Sequence, residues 1–163
     1  MWLRINQCER PLDFLFKRVS RLSGIPVEHF ESLQVVRYNG NGEKFDLHTD
    51  HLDHFNDLEC YGRLATCLFY LNSAKSEGEE SGGVVKEGFE GGSTNFPEYG
   101  HVKPRKGSAI FWFNTVERPS FNEFSKNTYL NVNFRSRHSG EPVFGSEKWI
   151  CNAWIHPVPF PKS

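Results

Sequence analysis

Apolar positions along this chain recur at two periods. Across residues 11–23, P-L-D-F-L-F-K-R-V-S-R-L-S, the apolar residues Leu12, Leu15, Phe16, Val19 and Leu22 fall three or four apart. That spacing collects side chains on one helical face. Pro11 suits a first turn, where its missing N–H has no helical partner anyway, and Gly24 stands just past the end. The pattern predicts an amphipathic helix over 11–23 with the stripe in the core. Beyond it the period shortens towards two. L-Q-V-V-R-Y at 33–38 predicts a strand, N-G-N-G a tight turn, and 44–50 a second strand. L-A-T-C-L-F-Y-L at 64–71 predicts a buried strand, and further strands are predicted at 101–104, 109–113, 129–134 and 148–155. Between them, residues 72–92 turn to Ser, Glu, Lys and Gly, with an acidic run from Glu77 to Glu80, and predict a surface loop. One helix followed by short strands describes an all-β sandwich or barrel with helical support on one side, one domain over 1–163.

Composition narrows the class. Aromatic residues make up 15% of the 163 residues, Met occurs once, and there are fourteen Gly and nine Pro, which favours short strands and turns. A formal charge of −1 offers no broad positive field for nucleic acid or an anionic membrane. No apolar run approaches a membrane span, and the first residues lack the apolar segment and cleavage site of a signal peptide. Cys8, Cys60, Cys67 and Cys151 are scattered, with neither zinc-site spacing nor the density of a disulfide scaffold.

The candidate chemistry lies in F-D-L-H-T-D-H-L-D-H, residues 45–54, which hold two consecutive His-x-Asp triplets. Alternation along a strand puts Asp46, His48 and Asp50 on one face, and Phe45, Leu47 and Thr49 on the other. The first set can reach one ion while Phe45 and Leu47 pack into the core. His51 and Asp53 have the opposite parity and run into a loop announced by Asn56 and Asp57. His51 and His54 are therefore read as solvated loop or groove-rim residues. A third ligand must come from His101, His138 or His156. His138 lies in a polar turn before the last strand, and Lys148 follows ten residues later beside Trp149, Ile150 and Trp154. A lysine in apolar surroundings either reaches out to water or meets a fixed anion. Two imidazoles and one carboxylate leave open positions on an ion, the arrangement of non-haem Fe(II) oxygenases. A bidentate keto acid and dioxygen would fill them.

Five stretches in order carry a family resemblance: L-Q-V-V-R-Y-N-G-N-G-E-K-F-D-L-H-T-D, R-L-A-T-C-L-F-Y-L-N, G-G-S-T-N-F-P, V-K-P-R-K-G-S-A-I-F-W-F-N and H-S-G-E-P-V-F-G-S-E-K-W-I-C-N-A-W-I-H. Together they resemble the 2-oxoglutarate- and Fe(II)-dependent dioxygenases, specifically the prolyl 4-hydroxylase catalytic domain. The resemblance implies a mainly β fold, a double-stranded β-helix or jelly roll with a supporting N-terminal helix. It implies iron on His48, Asp50 and His138. Lys148 matches the residue on the distal carboxylate of 2-oxoglutarate, and Tyr38, Thr94 and Trp154 match positions lining that pocket. Arg63 and His156 match positions linked to a peptide substrate. They and Tyr99 are expected as exposed groups that receive a proline-containing peptide, extended as polyproline II. Ascorbate is implied as a further cofactor. No nucleic-acid partner and no membrane segment are expected.

The chain also departs from the family. The turn before the first two ligands is one residue longer, 72–90 and 114–135 are expanded, and the segment that usually precedes the Met1 region is missing. The chain therefore reads as a fragment or a minimal version, placed in the endoplasmic reticulum lumen if part of a secretory-pathway protein and otherwise in the cytoplasm. Two other readings stand beside it. One is a non-catalytic β-barrel binding Pro-rich peptides. The other is a zinc hydrolase using T-D-H-L-D-H, in which Thr49 occupies the place of a needed histidine.

Overall fold

Among the described residues, alternating strands build two five-stranded antiparallel sheets and a separate two-stranded pair, and the helix over 11–23 covers the outer face of one sheet. The computed structural model describes residues 2–3, 11–51, 62–75, 88–116 and 131–161. In chain order the elements are β1 (Trp2–Leu3), α1 (Pro11–Ser23), a 3-10 turn (Val27–His29), β2 (Leu33–Tyr38), β3 (Asn41–His48) and β4 (Ala65–Tyr70). Then follow β5 (Glu90–Gly91), β6 (Thr94–Phe96), β7 (Gly100–Val102), β8 (Ala109–Phe113) and β9 (Thr115–Val116). β10 (Asn131–Val132), a 3-10 turn (Phe134–Ser136), β11 (His138–Phe144) and β12 (Lys148–Ile155) complete the order. The larger sheet runs β1-β2-β12-β4-β8, the smaller runs β3-β11-β6-β7 with β5 also on β11, and β9 pairs β10. Among the described residues this is a mainly β jelly roll, as expected.

Parity sorts the larger sheet into two faces. Leu33 on β2, Ala65 and Cys67 on β4, and Cys151, Ala153 and Ile155 on β12 join Phe16, Val19 and Phe30 in the core under α1. Phe16 meets Phe30 edge to face with centroids 5.7 Å apart. Each such side chain contributes roughly 1.5–3 kcal/mol of burial, so the helix is held by its stripe rather than by its own propensity. The other parity carries Tyr38, Leu68, Tyr70 and Ile150, which meet Phe89 and Val143 in a second core between the sheets. The same face carries Gln34, Thr66, Lys148, Asn152 and Trp154. Register aligns them: Lys148 lies opposite Tyr38, and Trp154 opposite Thr66.

Several expectations need correction. Leu22 is 68% exposed and drops out of the helical stripe, while the side chain of Leu12 lies outside the described residues. The second strand spans Asn41–His48 rather than 44–50, and Phe45 and Leu47 are about half exposed instead of packed in the core. The cause is a bulge. His138 pairs with His48 but Gly140 with Phe45, so β3 carries one residue more than β11 over that step. Alternation breaks there and Phe45 comes to the side of His48, with ring centroids 4.5 Å apart. His138 lies on a strand, not in a turn, and the strand at 94–96 has no counterpart in the expectations. The predicted strands at 101–104 and 129–134 are seen as Gly100–Val102 and as Asn131–Val132 followed by a 3-10 turn; residues 129 and 130 lie outside the described set. At the end of the predicted 72–92 loop, Phe89 is fully buried and β5 pairs with Val143 and Phe144; residues 76–87, with Glu77 to Glu80, lie outside the described set. Cys67 and Cys151 are buried free thiols, and Cys8 and Cys60 lie outside the described residues.

Candidate metal and co-substrate site

His48 ends β3, Asp50 follows it, and His138 opens the paired strand β11, so register alone sets the two imidazoles side by side. Ligand-capable atoms of the three residues lie within 4.8 Å of one another, and no other such cluster occurs among the described residues. Asp50 Oδ1 is 3.4 Å from His48 Nε2 and 3.9 Å from His138 Nε2. Each imidazole has its other nitrogen committed. His48 Nδ1–H donates to the carbonyl of Asp46 (2.7 Å) and His138 Nδ1–H to that of Ser136 (3.0 Å). A carbonyl can only accept, so Nδ1 of each ring carries a proton and each Nε2 faces the cluster, bearing its lone pair when the ring is neutral. Asp50 is held through its other oxygen: Oδ2 accepts from Thr66 Oγ1 (2.7 Å) and from Trp154 Nε1 (3.2 Å).

Charge follows geometry. Burial pushes the Asp50 carboxyl up, but the His48 hydrogen bond, the nearby His138 and the Thr66 hydroxyl outweigh it and hold the group at about 2. Burial lowers His138, which favours the neutral ligand form. His48, also pushed down by burial, is carried above its ordinary value by Asp50 and the Asp46 carbonyl. One carboxylate and two imidazole nitrogens converging on an open position form a donor set that fits a ferrous ion.

A cavity of about 310 Å³ runs from this cluster along the inner face of the larger sheet, lined by residues that include Tyr38, Phe45, Thr94, Lys148 and Trp154. Its middle is apolar, with Val36, Leu68 and Ile150. Lys148 closes the inner end, 1% exposed, its Nζ 4.8 Å from the Tyr38 ring centroid and 6.0 Å from that of Tyr70. Burial pulls its ammonium down to about 8, against a raising contribution from Glu141. Thr94 Oγ1 and Tyr70 Oη share a 2.7 Å hydrogen bond beside it. The Lys148 stem passes over Gly92, where a Cβ would lie 3.0 Å from Lys148 Cδ and where φ is +67°. The cavity therefore has an end whose donors can hold a metal, an apolar middle and a cationic end, complementary to a short dicarboxylate with a keto group.

The expected peptide contacts divide. Tyr99 is 66% exposed beside Arg135, on the turn that leads into His138. Arg63 and His156 are not exposed as expected: they are 7% and 0% accessible. Both bind the buried Glu31, Arg63 through Nε (2.6 Å) and Nη2 (3.0 Å), His156 through Nε2 (2.8 Å). Arg63 also lies over the Trp154 ring at 3.5 Å and lines the cavity, whereas His156 does not. His51 is buried against Gly62 rather than solvated; His54 lies outside the described residues. His101 pairs instead with Glu141 at 2.8 Å. The sequence reading missed Glu31, Thr66 and Asn114. Thr66 had a signal, a hydroxyl inside an apolar strand at the parity of Leu68 and Tyr70. Asn114 had one too, as the polar residue ending A-I-F-W-F.

Comparison with known proteins agrees with this construction. The chain is 33% identical over 145 residues to prolyl 4-hydroxylase subunit alpha-1 of Gallus gallus, covering 85% of this chain and 23% of that one. It is 31% identical over 156 residues to probable prolyl 4-hydroxylase 9 of Arabidopsis thaliana, covering 88% of this chain and 47% of the relative. It thus spans less than half the length of either. Among solved structures it resembles the 2OG complex of viral collagen prolyl hydroxylase from Paramecium Bursaria Chlorella virus-1. The TM-score is 0.68 at 27% identity, over 97% of this chain and 78% of the other. Neither the hydrolase nor the non-catalytic reading is favoured by these relatives. No helix among the described residues is long and apolar enough to cross a membrane. Residues 33–156 match the 2OG-Fe(II) oxygenase superfamily, and the chain belongs to that family.

Proposed function

We propose that this chain is a prolyl 4-hydroxylase that uses Fe(II) and 2-oxoglutarate to hydroxylate proline in a peptide, with release of succinate and CO2. The observation that carries the reading is the placement of His48, Asp50 and His138 at one end of a single cavity and the buried Lys148 at the other. Iron, when bound, supplies the activation of dioxygen that an unreactive C–H bond requires. His48, Asp50 and His138 would hold it. Every other task belongs to side chains. Lys148 pairs with the far carboxylate of 2-oxoglutarate, with Tyr38 and Thr94 beside it as hydrogen-bonding groups. Val36, Leu68 and Ile150 exclude water around the methylene carbons. Trp154 and Thr66 aim the Asp50 carboxylate.

The peptide is assigned to the cavity mouth at the half-exposed Phe45, with the exposed Tyr99 as a further aromatic contact. A polyproline II segment is already extended and gives up little entropy on docking against such aromatic groups. Arg63 and His156 act from beneath through the ion cluster on Glu31 and the stacking on Trp154. Ascorbate belongs to the proposal as a reductant that sustains turnover. The test is a panel of proline-containing peptides with Fe(II), 2-oxoglutarate and ascorbate, scored for succinate and for a gain of one oxygen by mass spectrometry. Succinate release matched by hydroxyproline is expected. Metal-dependent hydrolysis without oxygen uptake would overturn the reading.

A further inference from the structure

We infer that Asn114 is a positioning residue for the metal-binding carboxylate, acting through Thr66; the inference rests on the proposed metal site. Asn114 follows β8 and is fully buried, and its side chain hydrogen-bonds Thr66, which is not one of the three ligands. Its side-chain Nδ2–H donates to Thr66 Oγ1 at 2.9 Å, and Thr66 Oγ1–H donates to Asp50 Oδ2 at 2.7 Å. The direction of this relay is forced. An ionised carboxylate only accepts, so the single hydroxyl proton of Thr66 is spent on Asp50. The Thr66 oxygen is then left to accept, and of the two ends of the Asn114 amide only the NH2 can supply the proton. The orientation leaves Asn114 Oδ1 buried with no hydrogen-bond partner. A buried carbonyl left unsatisfied is unfavourable and rare, and here it is the consequence of turning the amide towards Thr66.

A backbone arm leaves the same residue towards another ligand. The Asn114 carbonyl accepts from Asn133 N–H at 2.8 Å. The Asn133 carbonyl accepts from Ser136 N (2.9 Å) and Ser136 Oγ (2.7 Å), and Ser136 O receives His138 Nδ1–H at 3.0 Å. The Asn114 N–H is itself fixed on Leu64 O at 2.9 Å. Asn114 thus joins the support of Asp50, Thr66 on β4 of the larger sheet, to that of His138, Ser136 on the 3-10 turn before β11. Its side chain serves the Asp50 arm alone, so substitution there leaves the backbone arm in place and isolates the relay.

The experiment measures Mn(II) affinity by electron paramagnetic resonance titration, and thermal stability in chelator, for the whole chain. The variants are Asn114→Ala, Asn114→Leu, Thr66→Val, Thr66→Ser and the double variant Asn114→Ala/Thr66→Val. Outer hydrogen bonds to metal ligands typically carry 10- to 100-fold in metal affinity. Thr66→Val is expected to weaken Mn(II) about 10- to 100-fold and Thr66→Ser less than about 3-fold. Either Asn114 substitution should weaken it about 3- to 10-fold, and Leu keeps the site filled should Ala not fold. In the Thr66→Val background, Asn114→Ala should weaken Mn(II) no further, while its effect on melting temperature persists. A purely structural role would weaken Mn(II) equally in both backgrounds, or leave it unchanged, and that overturns the inference. Should His138→Ala leave wild-type Mn(II) affinity intact, the metal-site reading itself fails, a result separate from the failure of the relay.

Discussion

Lys148 offers the sharpest test, because its substitution should change stability and binding in opposite directions. Its side chain is 1% exposed, and burial draws its pKa from 10.5 to about 8. That difference corresponds to roughly 3 kcal/mol against the charged form at neutral pH. The rings of Tyr38 and Tyr70, 4.8 and 6.0 Å from Nζ, return on the order of 1 kcal/mol. Lys148→Met keeps the stem and removes the charge, so the ligand-free protein should gain about 2 kcal/mol, or roughly 4–8 °C in melting temperature for a chain of this size. The sign follows from the lowered folded pKa. The penalty is complete below pH 8, fades between 8 and 10.5 as the folded lysine loses its proton, and is absent above 10.5, where the group is neutral folded or unfolded. The advantage of the variant should therefore disappear over that window. Binding moves the other way: losing a charge-assisted hydrogen bond should weaken 2-oxoglutarate about 10- to 100-fold. Wild-type affinity should itself fall as pH rises through about 8. Calorimetric melting in chelator at pH 7 and 10.5, with titration of 2-oxoglutarate into Mn(II)-loaded protein, reads both effects. A variant destabilised equally at the two pH values, or one binding 2-oxoglutarate normally, would refute the reasoning.

Asp50→Ala should abolish Mn(II) binding measured by electron paramagnetic resonance, whereas His51→Ala should retain it, because His51 is buried against Gly62 and outside the ligand cluster. Gly92→Ala sets a Cβ 2.9 Å from Phe89 and 3.0 Å from Lys148 at a φ of +67°. It should lower stability by about 1–3 kcal/mol in urea denaturation and weaken 2-oxoglutarate more than Mn(II). Glu31→Gln leaves the Arg63 guanidinium facing a neutral amide, and breaking a buried pair in this way should lower stability by about 3–5 kcal/mol. Burial pushes Glu31 up, but the His156 and Arg63 hydrogen bonds outweigh it and hold its pKa below 4.5. Its contribution is full above pH 4.5 and is lost as pH falls through the lowered folded value, so the variant should flatten the acid limb of the stability curve.

What could be read in advance was whatever one strand or helix decides alone. The helix over Pro11–Ser23 and the strands Leu33–Tyr38, Ala109–Phe113 and Lys148–Ile155 fall where their periods place them. Features that depend on a partner strand did not show. β6 is three residues long, too short to display a period, and β11 carries His-Ser-Gly-Glu-Pro, whose polar and breaking residues read as a turn until β3 and β6 supply its hydrogen bonds. The faces of Phe45 and Leu47 were misjudged because alternation assumes an unbroken ladder, and the bulge opposite Gly140 breaks it. Arg63 and His156 were expected at the surface because the resemblance links their positions to a peptide substrate. Only the fold shows that Glu31, distant in sequence, pairs with both inside.

The errors and the locally unfavourable features gather in one place. A lysine buried in an aromatic pocket, a left-handed glycine beneath its stem, an orphan amide carbonyl and a broken strand register each lower stability when taken alone. Net stabilities of domains are about 5–15 kcal/mol, so a lysine carrying roughly 3 kcal/mol of desolvation is a large share. Packing gives no reason to keep it, since a methionine would fill the same space. All four features border the cavity between His48, Asp50, His138 and Lys148 or support its ligands. Sequence rules presume that every residue serves the fold, and they fail where residues instead hold a ligand that the folded chain must wait for. We propose on that ground that the cationic end of the cavity is kept for an anion, the far carboxylate of 2-oxoglutarate, whose binding offsets the energy of burying Lys148.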